Sequence, residues 1–476
     1  MKTYNEAMAI DFYELTMANG YFLEGKMDEI VYFDLYFRKV PDDGGYAIFA
    51  GLETLTDYIE NIHFSVEDID FLRKQKTFND DFLQYLGNFK FTGDIYSFKE
   101  GSVMFPNEPI ITVKAKLIEA QIIETFFLQT VNHQSLIATK ASRIKYAAKD
   151  KKILEMGARR AHGLSSSVLG SRAAYIGGVD GTSNILADQM FGVPSGGTMA
   201  HSWIQVFENE YEAFKAYATH YPNSSTFLVD TYDTLLSGIP NAIKVIKEIL
   251  LPLNAKSYAI RIDSGDLTYL AKQARKMLDE ADLTDCKIVV SNALDEKIIK
   301  TLLEQGAPID LFGVGERLIT AKNDPVFGSV YKLVAVLQDD IIIPKIKISD
   351  NVEKITTPHY KKVFRIYSEN NKAEADLITV NDETIDTSEP LTIFDPHNTW
   401  KNKTFNNYSI KELQIPVFIN GTKLYKSPSL KEVREYASLE LNSLWEEIRR
   451  FDYPHEYHVD LSEKLWNIKQ DLIKDN

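Results

Sequence analysis

The chain has 476 residues, more than one hydrophobic core usually serves, so two or three domains are expected. A formal charge of -15 argues against a nucleic-acid backbone binder, and the sequence opens without the apolar run of a signal peptide or membrane span. The single cysteine, Cys286, excludes an intrachain disulfide framework and a thiolate zinc cluster, which fits a reducing, cytoplasmic setting; heading the run CKIVV, it reads as a buried apolar residue.

Over residues 4–22 apolar side chains recur at helical spacing, from Tyr4 until Gly20 ends the pattern, with Asp11 and Tyr13 as near neighbours. Taken alone, the aspartate reads as a cap and the tyrosine as a partly packed ring. The strand-like runs IVYFDLYFRKV and YAIFAG follow, joined by PDDGG; helices are expected at 52–62 and 68–86. Short strands between Gly and Pro turns lead to a long helix over 117–138, so residues 1–138 form a mixed α+β N-terminal domain.

From residue 142 the rhythm becomes strand, turn, helix. Strands are expected at 152–156, 173–179, 226–230, 258–262, 287–290 and 310–313, with helices at 238–250, 268–280 and 295–305. Repeated βα units imply a mainly parallel sheet or a closed barrel. Polar residues stand directly after many of these strands, at Asp230, Asp263 to Asp266, Ser291 with Asn292, and Gly313 with Gly315. That favours an irregular or incomplete TIM-like α/β barrel over 139–345, because barrel strand ends converge on one mouth. Residues 346–476 read as a small C-terminal accessory region packing back on the N-terminal domain, with KELQIPVFINGTKLY as a hairpin. Lys332 and Arg365 are anion-binding candidates in the tail.

Candidate chemistry gathers in GVDGTSNILADQMFGVPSGGTMAHSW, residues 178–203, where glycines without a β-carbon let a ligand approach the backbone near His201 and Ser202. A tight turn explains the same pattern equally well. RIDSGD brings Arg261, Asp263 and Asp266 to a strand end, where paired carboxylates suit Mg²⁺ or sugar hydroxyls and the guanidinium suits an anion; a helix cap and turn is the alternative. FGVGE offers Gly313 and Gly315, whose backbone N–H groups can face phosphate. Neither GxxxxGK[ST] nor GxGxxG occurs, against a P-loop ATPase and a Rossmann dehydrogenase.

DFYELTMANGYF, MGARRAHG, GTSN with GGTMAHSW, RIDSGD and FGVGE, in this order across residues 5–345, resemble the nicotinate phosphoribosyltransferases. These are type II phosphoribosyltransferases, which also include nicotinamide- and quinolinate-using enzymes. The resemblance implies transfer of phosphoribosyl from 5-phosphoribosyl 1-diphosphate to the ring nitrogen of nicotinate, giving nicotinate mononucleotide and diphosphate in NAD biosynthesis, with Mg²⁺ and coupled ATP hydrolysis. It implies that His201 accepts phosphate from ATP, and that Asp11 and Tyr13 reach the pyridine site of the other subunit in a homodimer. Arg159, with Arg160 nearby, would face base or phosphate; Met156 stands where relatives carry an aromatic cover for the ring. Gly181 and Thr182 precede Ser183, where nicotinamide-using relatives place an aspartate; a hydroxyl donates to nicotinate's carboxylate, whereas an aspartate would repel it.

By the same resemblance Arg261, Asp263 and Asp266 orient the ribosyl diphosphate and Mg²⁺, Gly313 and Gly315 cradle the 5-phosphate, and Ser202, Ser291 and Asn292 complete the substrate site. The competing readings are quinolinate or nicotinamide transfer and a non-catalytic barrel that binds a phosphometabolite. No nucleic-acid or membrane partner is expected.

Overall fold

The run IVYFDLYF forms the strand Ile30–Phe37, buried along nearly its whole length because aromatic and β-branched side chains cover both of its faces. It sits within a seven-stranded antiparallel sheet, in the computed structural model, ordered Ile341–Pro344, Ser329–Gln338, Ile30–Phe37, Ile111–Lys116, Asp94–Phe98, Gln414–Ile419 and Thr422–Lys423. The last two strands are the expected hairpin. The structure describes residues 5–351 and 354–475, so Tyr4 of the expected first helix lies outside the described residues.

Two compact units emerge, Met1–Leu136 with Val326–Asn476, and Ile137–Pro325. The expected break at 345/346 moves to 325/326, because Ser329–Gln338 and Ile341–Pro344 are strands of the seven-stranded sheet. The tail is part of the first unit and not a separate body; its second sheet orders Ser409–Glu412, Lys361–Tyr367, Ala373–Val380 and Val459–Leu461. The first helix runs Phe12–Leu23, past Gly20, and the helix expected at 117–138 is two, Leu117–Ile122 and Glu124–Ala148.

Arg365 is no anion-binding candidate. Its side chain is fully buried and paired with Asp376 at 2.7 Å and Glu440 at 3.0 Å, and it also donates to the Val103 carbonyl. The Tyr457 hydroxyl donates to Asp376 as well. Arg365→Met leaves buried Asp376 without its cation, while Glu440 keeps Lys411 at 2.9 Å, so unfolding free energy is expected to drop by about 3–5 kcal/mol, measured by urea denaturation.

The second unit carries a six-stranded, all-parallel sheet built from β1 (Lys152–Glu155), β2 (Gly181–Thr182), β3 (Ser225–Leu228), β4 (Tyr258–Ile262), β5 (Lys287–Asn292) and β6 (Leu311–Val314). Its order is β2-β1-β6-β5-β4-β3. Every strand therefore neighbours its successor, and β6 neighbours β1, except that β2 and β3 are unpaired. The sheet curls as an open ring. The strand expected at 173–179 is helical up to residue 176 in Leu164–Ile176, and β2 begins later and is only two residues long. Cys286 is buried at the start of β5, its thiol pushed up to about 12 by burial, as an inert core residue.

Candidate active site at the open ring

Because all six strands are parallel, the residues following them leave from one edge of the sheet. Arg159 and Arg160 follow β1, Ser183 follows β2, Asp230 and Thr231 follow β3, Asp263 follows β4, and Gly315 follows β6; Asn292 ends β5. The gap between β2 and β3 is spanned by 194–201. Thr182 N donates to Pro194 O at 2.9 Å and Gly196 N to Thr182 O at 2.8 Å, a parallel bridge beside β2. Farther along, Thr198 accepts from the Arg261 guanidinium, and His201 Nδ1 lies 3.1 Å from Thr231 Oγ1 beyond β3. Gly181 is what lets this strap lie so close: a β-carbon there would sit 2.5 Å from the Pro194 carbonyl oxygen.

The GT turn is held from below by Glu155. This buried carboxylate accepts from Thr182 Oγ1 at 2.6 Å, from Ser171 Oγ at 2.9 Å and from Gly157 N. Burial raises its pKa, and those donors oppose the rise. Thr182 is thus not a ligand-facing hydroxyl: it is buried and occupied, and it positions Ser183, which is exposed with its N–H donating to the Glu155 carbonyl at 2.8 Å.

Around β3 and β4 the arrangement is electrostatic. Asp230 Oδ2 accepts from Asp263 N at 3.0 Å and from Ser264 Oγ at 2.6 Å, while Asp263 Oδ1 accepts from buried Ser291. Burial lowers the Arg261 pKa, Asp263 and Asp230 counteract this, and Arg159 adds to it, which places the two guanidiniums in the same field. Two buried atoms here lack a partner among the described residues: Arg261 Nε and Asp230 Oδ1. An unsatisfied guanidinium beside an unsatisfied carboxylate is costly unless a ligand completes both.

The oxygen donors suit Mg²⁺, and the guanidinium suits a diphosphate. Among the described residues no group of three or more His, Cys, Asp or Glu side chains is placed to hold a metal. Asp266, the second carboxylate expected beside Asp263, caps the helix Leu267–Glu280 through Tyr269 N, and the carboxylate directly beside Asp263 is Asp230. Asp230 was visible only as one of several polar residues at strand ends; its pairing across β3 and β4 has no signature in the linear sequence.

Gly313 differs from the cradle expected of it. It is buried, and the room left by its missing β-carbon is taken by Met156, whose Sδ would lie 2.7 Å from such an atom. Met156 therefore packs on β6; Gly315, half-exposed at the start of Glu316–Ile319, has its β-carbon position 3.0 Å from the Met156 carbonyl oxygen. Asn292 has φ 121°, a strained backbone for a side-chain-bearing residue, and its side chain is exposed at the same edge. Ser202 is exposed and His201 half-buried at the start of His201–Val206.

In the first unit, Asp11 precedes the helix Phe12–Leu23, and its N–H donates to Thr125 Oγ1 at 3.2 Å. Phe12 and Tyr13 are 55% and 46% exposed, which leaves both rings available to another surface. The Tyr13 pKa is raised by burial and by the Glu124 carboxylate, its hydrogen-bond partner. Lys332 is half-buried and faces Glu124 electrostatically. Behind Tyr13, buried Glu14 accepts from Thr125 and is pushed from 4.5 up to about 8, first by burial. The folded chain therefore keeps a proton that the unfolded chain releases between these values. Stability should fall as pH rises from 4.5 to about 8 and level off above, and Glu14→Gln should remove that decline in urea denaturation at a series of pH values.

Models of the nicotinate phosphoribosyltransferase N-terminal domain, family region and C-terminal domain match residues 8–132, 151–376 and 360–469. The nicotinate phosphoribosyltransferase of Bacillus subtilis is 46% identical over 97% of this chain and 94% of its own length. The chain belongs to the nicotinate phosphoribosyltransferase family. The family's human member is 31% identical over 96% of the chain and 94% of its own length. A crystal structure of human nicotinic acid phosphoribosyltransferase superposes with a TM-score of 0.86, covering 97% of this chain and 99% of that one. A nicotinate-nucleotide pyrophosphorylase from Pyrococcus furiosus, 21% identical with a TM-score of 0.71 over 93% of this chain and 98% of its own, shares the fold. No helix among the described residues is long and apolar enough to cross a membrane.

Proposed function

We propose that this enzyme transfers phosphoribosyl from 5-phosphoribosyl 1-diphosphate to the ring nitrogen of nicotinate, releasing diphosphate, in NAD salvage, and that it couples the transfer to ATP hydrolysis through phosphorylation of His201. The observation that carries this reading is the pair of unsatisfied buried atoms, Arg261 Nε and Asp230 Oδ1, at the edge that also presents Arg159 and Ser183 in a chain of this family. Nicotinate is the nucleophile and diphosphate leaves, so the chain's task is to hold the two in line and to stabilise departing charge. Arg261 and Arg159 bind the diphosphate, Asp263 orients the ribosyl group, and Ser291 fixes Asp263. Asp230 and Asp263 would hold Mg²⁺, which supplies positive charge to the leaving diphosphate.

Ser183 donates to the nicotinate carboxylate, and its exposure at the end of β2 supports that role. Gly315 and Asn292 line the phosphate end. The incomplete barrel of six strands serves as the floor of the site. We further propose a cytoplasmic homodimer, in which Asp11 and Tyr13 of one subunit complete the pyridine site of the other; the exposed rings of Phe12 and Tyr13 support it.

The test is a parallel assay with nicotinate, nicotinamide and quinolinate, with and without ATP and Mg²⁺. Product from nicotinate, stimulated by ATP, is expected. Equal product from nicotinamide would overturn the role of Ser183, and product from quinolinate alone would replace the substrate.

A further inference from the structure

Two lysines in the first unit are withdrawn from solvent, and they are treated differently. Lys361 is buried against Asp34 at 2.7 Å and also donates to the carbonyls of Thr357, Pro358 and His359. Lys469, on the helix Glu463–Lys474, has a single hydrogen bond, to Thr357 Oγ1 at 3.2 Å. The other two lysines of that helix with ion pairs find carboxylates, Lys464 at Asp382 and Lys474 at Asp471. Lys469 instead lines a chamber of about 370 Å³ together with His397, Trp466, Ile355, Pro396 and Ile473, and among the described residues no carboxylate is in its walls.

We propose that this chamber is a binding site for a small planar carboxylate, whose anionic end pairs with Lys469 and whose apolar body lies between Trp466, Ile473 and Ile355. The volume falls within the range of small-molecule sites. The Trp466 ring is a fixed wall, because its Nε1 donates to the Pro396 carbonyl at 3.0 Å and its face meets the edge of Phe394. A half-buried ammonium without a counter-ion among the described residues gains from a carboxylate. Burial, aided by the neighbouring Lys361 charge, pushes the Lys469 ammonium down to about 8, so the unliganded lysine is partly neutral and reactive near neutral pH. An adjacent chamber of about 810 Å³ shares Ile355, Pro396, His397 and Lys469 and contains Asp395 and Asp460. Asp395 is occupied by the backbone N–H groups of His397 and Asn398, and neither acid lines the smaller chamber. The residues named in its walls all belong to the first unit and not to the parallel sheet.

The experiment is residue-resolved acetylation of the full-length protein by a neutral amine-reactive ester, read by mass spectrometry, with benzoate and its uncharged analogue benzamide as probes. Millimolar benzoate is expected to slow acetylation of Lys469 about tenfold, the scale of one charge-assisted hydrogen bond, while exposed Lys297 reacts at an unchanged rate. Benzamide is expected to leave both rates unchanged. Ile473→Trp fills the chamber while keeping the lysine, and should abolish the protection. If that variant does not fold, calorimetry of Lys469→Met should show one benzoate-binding event fewer than the native chain. Unprotected Lys469, equal protection by benzamide, protection that survives Ile473→Trp, or an unchanged number of binding events would each overturn the proposal.

Discussion

Arg261→Met is expected to lower kcat/KM for phosphoribosyl transfer by about 10²–10³, or about 2.7–4 kcal/mol of transition-state stabilisation. The methionine keeps most of the side chain's length and its packing on β4 while removing the guanidinium. Arg261 is suited to such a loss because it is already largely desolvated: burial lowers its pKa, Asp263 and Asp230 hold it charged, and one of its nitrogens has no partner among the described residues. A group fixed this way reorganises little when charge develops on the departing diphosphate. The fall should lie mainly in kcat, since charge on the leaving group grows as the bond breaks; a rise in KM alone would mean that the arginine binds ground state and transition state alike. Lysine at the same position should recover only part of the loss, because a point charge cannot reproduce the fork that reaches Thr198 and ligand together. Steady-state kinetics with the diphosphate donor varied, on variants whose thermal unfolding matches the native chain, make the measurement. Activity within a few-fold of native would remove Arg261 from the reaction.

The parallel-sheet unit was largely legible because each βα repeat carries its own local signals. Hydrophobic runs end in polar or glycine residues at Asp230, Asp263 and Gly315, and the sheet edge collects those positions. Two errors came from the same physical source. The strand expected at 173–179 is the end of a helix, because a run of small apolar residues is buried equally well by either structure and periodicity does not separate them. Met156 stands at an expected ring-cover position, yet it fills the space above Gly313; a glycine on the sixth strand is invisible to any pattern local to the first. The same holds for the tail. Ser329–Gln338 pairs with Ile30–Phe37, a contact across about three hundred residues, so a boundary placed at the end of the motif run, at 345, does not fall where the units divide. Arg365 looked like a lone tail cation for the same reason, since Asp376, Glu440 and Val103 meet it only after folding.

His201→Asn is expected to abolish ATP coupling while leaving ATP-independent transfer intact. Asparagine retains a polar side chain near Thr231, the observed neighbour of the imidazole, but offers no ring nitrogen to attack the γ-phosphate of ATP. In the proposed coupling, attack by an imidazole nitrogen would break the bond between the γ-phosphorus and the bridging oxygen, releasing ADP, and water would later cleave the P–N bond to give phosphate. The strap makes this modification consequential. A phosphoryl group adds about two negative charges, and it would arrive only three residues from Thr198, which is hydrogen-bonded to Arg261. The strap spans the one unpaired side of the ring, so a charge placed there acts on a segment that no strand ladder holds between β2 and β3. Attraction between phosphohistidine and the arginines at the sheet edge would draw the strap over the bound donor; loss of the phosphate would release product. Two measurements decide it: acid-labile radiolabel from γ-labelled ATP on the isolated protein, and the ratio of ATP hydrolysed to nicotinate mononucleotide formed. The variant should carry no label and show no ATP stimulation. Coupling that survives in His201→Asn would place the phosphoryl acceptor elsewhere and leave the strap a purely structural bridge.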